Sequence, residues 1–289
     1  MTDTRPTVLV GVDGSEPSLR AAEWAADDAV ATGRKVAVCY VSDVSALVDV
    51  PLPEEVRRSA HAYGLRMVDR ALVRIRNTSP VDASGEVAEG NPAAELIRRA
   101  AGAEQVVLGS RGAGGFDRLV LGSVGAEVAA HAPGPVIVVR GEAHDRREVV
   151  VGVDASDRGH HALEYAFGYA ARHGGRVHAI HAIHPLHDRT ASLPMPPISA
   201  RPWMAPEHHL TARELLADAV APWAVKYPAV EVEITVMEGS APWALVQASN
   251  GAALVVVGSR GHGGFTGLLL GSVSQALLRH AACPVAVAR

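Results

Sequence analysis

Two glycine-rich loops of identical spacing constrain this chain more than any other feature. The first runs Gly109-Ser110-Arg111-Gly112, passes through Gly114 and Gly115, and ends in Gly122-Ser123-Val124. The second runs Gly258-Ser259-Arg260-Gly261, passes through Gly263 and Gly264, and ends in Gly271-Ser272-Val273-Ser274. Both fit G-x-x-G, nine residues, then G-S. Each follows an apolar run that reads as a buried strand, Gln105–Leu108 and Ala253–Val257, and each leads into a helical pattern. Glycine lets backbone turn sharply and approach a ligand. The first turn of the helix adds unpaired N–H groups and the positive end of the helix dipole, a combination that favours phosphate. Gln275 lies three residues after Ser272, a capping-box spacing that would fix the second helix start. One such loop is weak evidence; two with equal spacing define a repeated functional unit.

The rest of the chain repeats around these loops. Val8–Asp13 recurs as Val149–Asp154, an apolar strand ending in an acid. Glu23-Trp24-Ala25 recurs as Glu164-Tyr165-Ala166, an offset of 141, and the loops recur at an offset of 149. The second half therefore carries eight extra residues, assigned to the proline-rich stretch between Pro185 and Pro206. The polar stretch from Gly141 to Glu148 reads as a linker, giving domains 1–141 and 148–289. Each half alternates five strands with four helices, which predicts an α/β fold of two tandem five-stranded parallel doubly wound sheets. In such sheets a ligand sits at the carboxyl ends of the strands, where the strand order reverses. If strands 1 and 4 are neighbours there, Asp13 faces the Gly109 loop and Asp154 the Gly258 loop. A carboxylate repels phosphate but accepts from ribose hydroxyls. The residues thus imply a nucleotide.

A chain of 289 residues that is 48% hydrophobic can bury a core in each half. Its net charge of −4 gives no reason to expect nucleic acid or an acidic membrane as partner. No signal-peptide pattern opens the sequence, and no apolar run approaches the length of a membrane span. A cytoplasmic location is expected. Cys39 and Cys283 stand in different halves without metal-ligand spacing, and are expected to be buried free thiols.

Both halves resemble universal stress protein domains, and the whole chain resembles the tandem-domain type. The resemblance rests on G-x2-G-x9-G-[S/T] with an Asp at the end of strand 1. These stand as Gly109, Gly112, Gly122, Ser123 and Asp13, and as Gly258, Gly261, Gly271, Ser272 and Asp154. It implies a Rossmann-like, adenine nucleotide alpha hydrolase-like fold and one ATP site per half, with or without Mg²⁺. Adenine would lie near Val41 or Ala182, ribose at Asp13 or Asp154, and phosphates on the loop and helix start. The implied first site holds Gly11, Asp13, Val41, Gly109, Ser110, Arg111, Gly112, Gly114, Gly115, Gly122, Ser123 and Val124. The second holds Gly152, Asp154, Ala182, Gly258, Ser259, Arg260, Gly261, Gly263, Gly264, Gly271, Ser272, Val273 and Ser274. The resemblance further implies pairing of the halves through their last strands, Val136–Val139 and Val285–Ala288, and a homodimer with a protein partner that reads the ligand state. The first site has Gly125 and Ala126 where the second has Ser274 and Gln275, so it is expected to be less well capped and to bind more weakly.

Each of these residues has a plainer reading. The loops could be structural turns, Asp13 and Asp154 turn or cap acids, and Arg111 and Arg260 solvated cations. His178, His181, His184 and His187 suggest a metal comb, but a spacing of three alternates faces on a strand. Trp203 and Trp243 read as packing residues. Against the regulatory nucleotide-binding reading stands an enzyme, either a slow ATP hydrolase or an ATP-dependent transferase. The sequence shows no G-x4-G-K-[ST] loop, no lysine in either glycine loop and no acid cluster to hold Mg²⁺, the groups on which phosphoryl transfer depends.

Overall fold

The computed structural model describes residues 6–43, 53–112, 121–141, 147–154, 159–183, 206–261 and 269–289. The first half runs β1 (Thr7–Val12), α1 (Glu16–Thr32), β2 (Lys35–Ser42), α2 (Glu54–Thr78), β3 (Ala83–Glu89), α3 (Pro92–Ala100), β4 (Gln105–Gly109), α4 (Ser123–His131) and β5 (Val136–Val139). The second repeats it as β6 (Glu148–Gly152), α5 (Gly159–His173), β7 (Arg176–Ile183), α6 (Pro206–Lys226), β8 (Val232–Glu238), α7 (Ala241–Ala248), β9 (Leu254–Gly258), α8 (Ser272–His280) and β10 (Val285–Ala288). The eight-residue insertion assigned between Pro185 and Pro206 falls almost wholly outside the described residues.

All ten strands form one sheet in the order β3-β2-β1-β4-β5-β10-β9-β6-β7-β8. Within each half every pairing is parallel. The halves join where β10 runs antiparallel to β5, with Ala286 opposite Ile137. The expected pairing through last strands is therefore present within the chain.

Strand sequence decides which helix covers which face. Val8, Val10 and Val12 of β1 join a core under α1 and α2, whereas Leu9 joins the core on the other face. Val149, Val151 and Val153 against Val150 repeat this division. Helix α1 fits because Ala21, Ala22, Ala25, Ala26 and Ala29 form an apolar stripe of small side chains that packs fully buried. Two cores, one per face, run continuously from one half to the other. Cys39 and Cys283 are buried free thiols, and burial pushes them up to about 11 and about 12.

In each half β1 and β4, or β6 and β9, are adjacent neighbours with their carboxyl ends side by side. That adjacency is the reversal in strand order, so the acid after strand 1 and the loop after strand 4 emerge together.

At the junction of the halves Gly141 has φ +57, and a methyl on it would overlap the Ala282 carbonyl group of the second half. Left-handed backbone costs a side-chain-bearing residue about 1–2 kcal/mol before any clash. Gly141→Ala is therefore expected to destabilise the chain by about 2 kcal/mol or more in a denaturant melt. An unchanged midpoint would show that this contact does not hold the halves in register.

Candidate functional site

Asp13 follows β1 directly. Its Oδ1 accepts from the Ser15 amide at 3.0 Å and the Ser15 hydroxyl at 2.6 Å. Ser15 is in turn the N-cap of α1, its hydroxyl accepting from the Ser18 amide. The Ser15 hydroxyl also lies 3.4 Å from the Arg111 carbonyl, tying the start of α1 to the glycine loop. Asp13 therefore does serve the turn through Oδ1, as the plainer reading held.

The other oxygen, Oδ2, packs on the loop. A Cβ on Gly112 would stand 2.6 Å from it, closer than any real side chain tolerates. In the second half a Cβ on Gly261 would stand 2.5 Å from Asp154 Oδ2. Neither glycine has a positive φ. These positions exclude a side chain because a carboxylate occupies its place, a reason that the sequence reading, which invoked backbone approach to a ligand, did not contain.

The loops close in the same way twice. The Ser110 amide donates to Val139 of β5, and the Gly122 amide donates back to the Ser110 carbonyl at 3.0 Å. Ser259 with Ala288, and Gly271 with Ser259 at 2.8 Å, repeat the arrangement. The Gly122 and Gly271 amides, expected to face phosphate, are thus committed to closing the loop. The helices start one residue later. Gly122 and Gly271 are the N-caps, neither start has a side-chain cap, and the first intrahelical donors are Ala126 and Gln275. The amides of Ser123, Val124 and Gly125, and of Ser272, Val273 and Ser274, have no partner inside their helices.

This overturns the capping box at Ser272. Gln275 instead donates its amide to the Leu270 carbonyl at 3.1 Å. The Ser274 hydroxyl, expected at the ligand, is buried and donates to the Gly258 carbonyl at 2.7 Å. Both side chains brace the second loop. The expectation of a weaker first site loses the contact on which it rested.

A cavity of about 480 Å³ opens at the first reversal point. Gly11, Asp13, Val41, Gly109, Arg111, Gly112, Gly122, Ser123 and Val124 of the expected set line it. Ser110 is buried behind them. The sequence reading missed Val12, Ser18, Cys39, Tyr40, Tyr63, Pro92, Leu96, Leu108 and Gly125, which complete the wall. The signal for Cys39 and Tyr40 was their place beside Val41 at the end of β2; Tyr63, in mid-helix on α2, left none. Tyr40 and Tyr63 meet edge to face, and burial raises the Tyr40 phenol. In the second half Gly152, Asp154, Ala182, Gly258, Ser259, Arg260, Gly261, Gly271, Ser272 and Val273 take the corresponding positions on β6, β7, β9 and α8. Tyr40 is replaced there by His181, whose Nδ1 lies 2.8 Å from the Val153 carbonyl. Gly114, Gly115, Gly263 and Gly264 lie outside the described residues.

His178 faces Thr235, with Nε2 2.9 Å from its hydroxyl, and shares no ligand position with His181. His184, His187 and Trp203 lie outside the described residues. Trp243, expected to pack, is 59% exposed on α7. Among the described residues no three His, Cys, Asp or Glu side chains are grouped to hold a metal, and no helix is long and apolar enough to cross a membrane.

A doubly wound sheet with an acid after strand 1, packed on a glycine loop after strand 4, defines the class of protein, and the chain carries that unit twice. The model of the universal stress protein family matches residues 4–140 and again 145–289. The chain belongs to the universal stress protein family, as a tandem of two domains. It is 35% identical over 298 residues to a universal stress protein of Mycolicibacterium smegmatis, covering 98% of this chain and 96% of the relative. It is 32% identical over 296 residues to one of Mycobacterium tuberculosis, with the same coverage. A universal stress protein from Archaeoglobus fulgidus shares the fold at TM-score 0.73 and 22% identity, over 98% of this chain and 96% of that one.

Asp13→Ala removes an acceptor used twice at the start of α1, and is expected to cost about 1 kcal/mol in a thermal melt of the ligand-free chain. Asp13→Asn keeps an oxygen for Ser15 and should cost less. Equal losses would show that the charge, not the turn, is what the fold uses.

Proposed function

We propose that this protein is a regulatory nucleotide-binding protein with one ATP site per half. The supporting observation is that one cavity brings together three kinds of surface a nucleotide needs. The Ser123, Val124 and Gly125 amides open α4, where backbone N–H groups and the helix dipole favour phosphate. The Asp13 carboxylate is an acceptor suited to ribose hydroxyls. Val41, Pro92, Leu96 and Leu108 supply an apolar wall for a base. Arg111, at the rim, is suited to a phosphate oxygen. In this reading the Asp13 contact to Gly112 sets the distance between the sugar and phosphate ends of the site. Asp154 and Gly261 do the same in the second half. Occupied and empty forms would then differ at the loops, where a protein partner can read them.

Two measurements test the proposal. Chain denatured as purified, with its supernatant run on an anion-exchange column, is expected to release ATP with little ADP. Chain that arrives bare and stays bare in millimolar ATP would sink the reading, and ADP alone would favour turnover. Calorimetry should then separate roles. Asp154→Ala is expected to weaken ATP and adenosine alike by about ten- to hundredfold, the worth of a charge-assisted hydrogen bond. Ser272→Ala should weaken ATP and leave adenosine nearly unchanged. Unchanged affinity in the Asp154 variant would return that acid to the fold.

A further inference from the structure

The join between the halves is symmetric on one face of the sheet and asymmetric on the other. On the face of α4 and α8 it repeats itself. Arg140 donates to the Leu277 and Leu278 carbonyls at the end of α8, and Arg289 donates to the Ala129 carbonyl at the end of α4. The strands are equally self-similar, Val-Ile-Val-Val against Val-Ala-Val-Ala, and all eight are buried. Nothing in these contacts distinguishes a first half from a second.

On the face of α1 and α5 the contacts do distinguish them. Asp28 of α1 has a side chain only 2% exposed. Its Oδ1 lies 3.0 Å from His173 Nε2 of α5, and its Oδ2 accepts from Gln105 Nε2 at 2.7 Å. Gln105 Oε1 in turn accepts from the Tyr165 hydroxyl of α5 at 2.8 Å. Arg34 also lies 3.5 Å from Oδ2, and it pairs with Glu104 as well. Burial, with Asp28 adding to it, raises the Tyr165 phenol well above its ordinary value and keeps it a neutral donor. The network thus takes Asp28 and Gln105 from the first half, and His173 and Tyr165 from the second.

The repeat offsets show what stands across the pseudo-twofold axis. Asp28 corresponds to Tyr169, Gln105 to Leu254, Tyr165 to Trp24 and His173 to Thr32. There Trp24 stacks on Tyr169, with ring centroids 6.1 Å apart and planes 7° apart, and Thr32 turns its hydroxyl to the Asp28 and Ala29 carbonyls of its own helix. Two first halves joined through this surface would bury an Asp28 on each side opposite Trp24 and Thr32. Each carboxylate would keep Gln105 and Arg34 of its own half but lose the histidine, and each glutamine would lose the tyrosine. An interior carboxylate short of a partner, beside an unanswered amide oxygen, is disfavoured.

We propose that the surface of the first half carrying Asp28 and Gln105 is a pairing key: it accepts the α5 face of a second half and rejects a copy of itself. Specificity of this kind comes as much from the penalty on the wrong partner as from contacts to the right one. The competing account is that the covalent connection alone pairs the halves, by raising their concentration for each other. The key requires nothing of the nucleotide sites and stands whether or not they bind ATP.

The strand register supplies a trap. Ile137 lies opposite Ala286, its own counterpart at an offset of 149, so a first-half to first-half join would set Ile137 opposite Ile137. The full chain is refolded at high concentration under a glutathione redox buffer, with Cys39→Ala and Cys283→Ala removing the native thiols, and read on a non-reducing gel. Ile137→Cys with Ala286→Cys calibrates the trap by bridging within one chain. Ile137→Cys alone should give little chain-to-chain disulfide while Asp28 is intact. Adding Asp28→Ala, or Asp28→Asn should the alanine variant not fold, should raise the cross-linked fraction at least tenfold. Tyr165→Phe should give a smaller rise. Equal cross-linking with and without Asp28, including none in either, would overturn the proposal and leave pairing to the chain connection.

Discussion

The contact between the acid after strand 1 and a glycine of the loop after strand 4 organises each half of this protein. Asp13 on Gly112 and Asp154 on Gly261 leave no room for a side chain. The contact can exist only if strands 1 and 4 are neighbours, if the loop returns over the strand ends, and if the position is glycine. The parallel sheet meets the first condition. The pairing of the Ser110 amide with β5, and of Gly122 with Ser110, meets the second. That a carboxylate and the donor-rich start of a helix face one cavity follows from those same constraints. This is the physical sense in which the site belongs to the fold.

Much of this was legible in the sequence because it depends on periodicity and repetition. The alternation of strands and helices, the acid at the end of strand 1 and the loop at the end of strand 4 follow from an apolar pattern that occurs twice; the join through the last strands was implied by the family resemblance, and its antiparallel sense and the full strand order come from the structure. The misreadings share a cause as well. Spacing alone makes a capping box of Ser272 and Gln275, yet the polar side chains at this helix start have several partners within reach. The Ser274 hydroxyl found the Gly258 carbonyl and the Gln275 amide found Leu270. Residues such as Tyr63, contributed to the cavity by mid-helix, carry no local pattern, since only tertiary packing brings α2 over the end of β2. Trp243 failed in the opposite direction: a large apolar residue is usually buried, but this one sits on the solvent side of α7.

The two halves are alike where the strands, loops and arginines meet, and unlike where α1 meets α5. A duplicated chain begins with two surfaces that can each pair with their own kind. Here the polar group lies on one side of the axis and the aromatic stack on the other, so the join is complementary only between unlike halves. The ten-stranded sheet is continuous across that join. A shift between the halves would therefore be felt at both β5 and β10, the strands that anchor the two glycine loops.

The central claim is that one chain presents the same site twice, and the direct measurement is nucleotide stoichiometry by native mass spectrometry. Chain titrated with ATP should show one adduct and then a second, saturating at two per chain. A spectrum that saturates at one, or stays bare, would contradict the account.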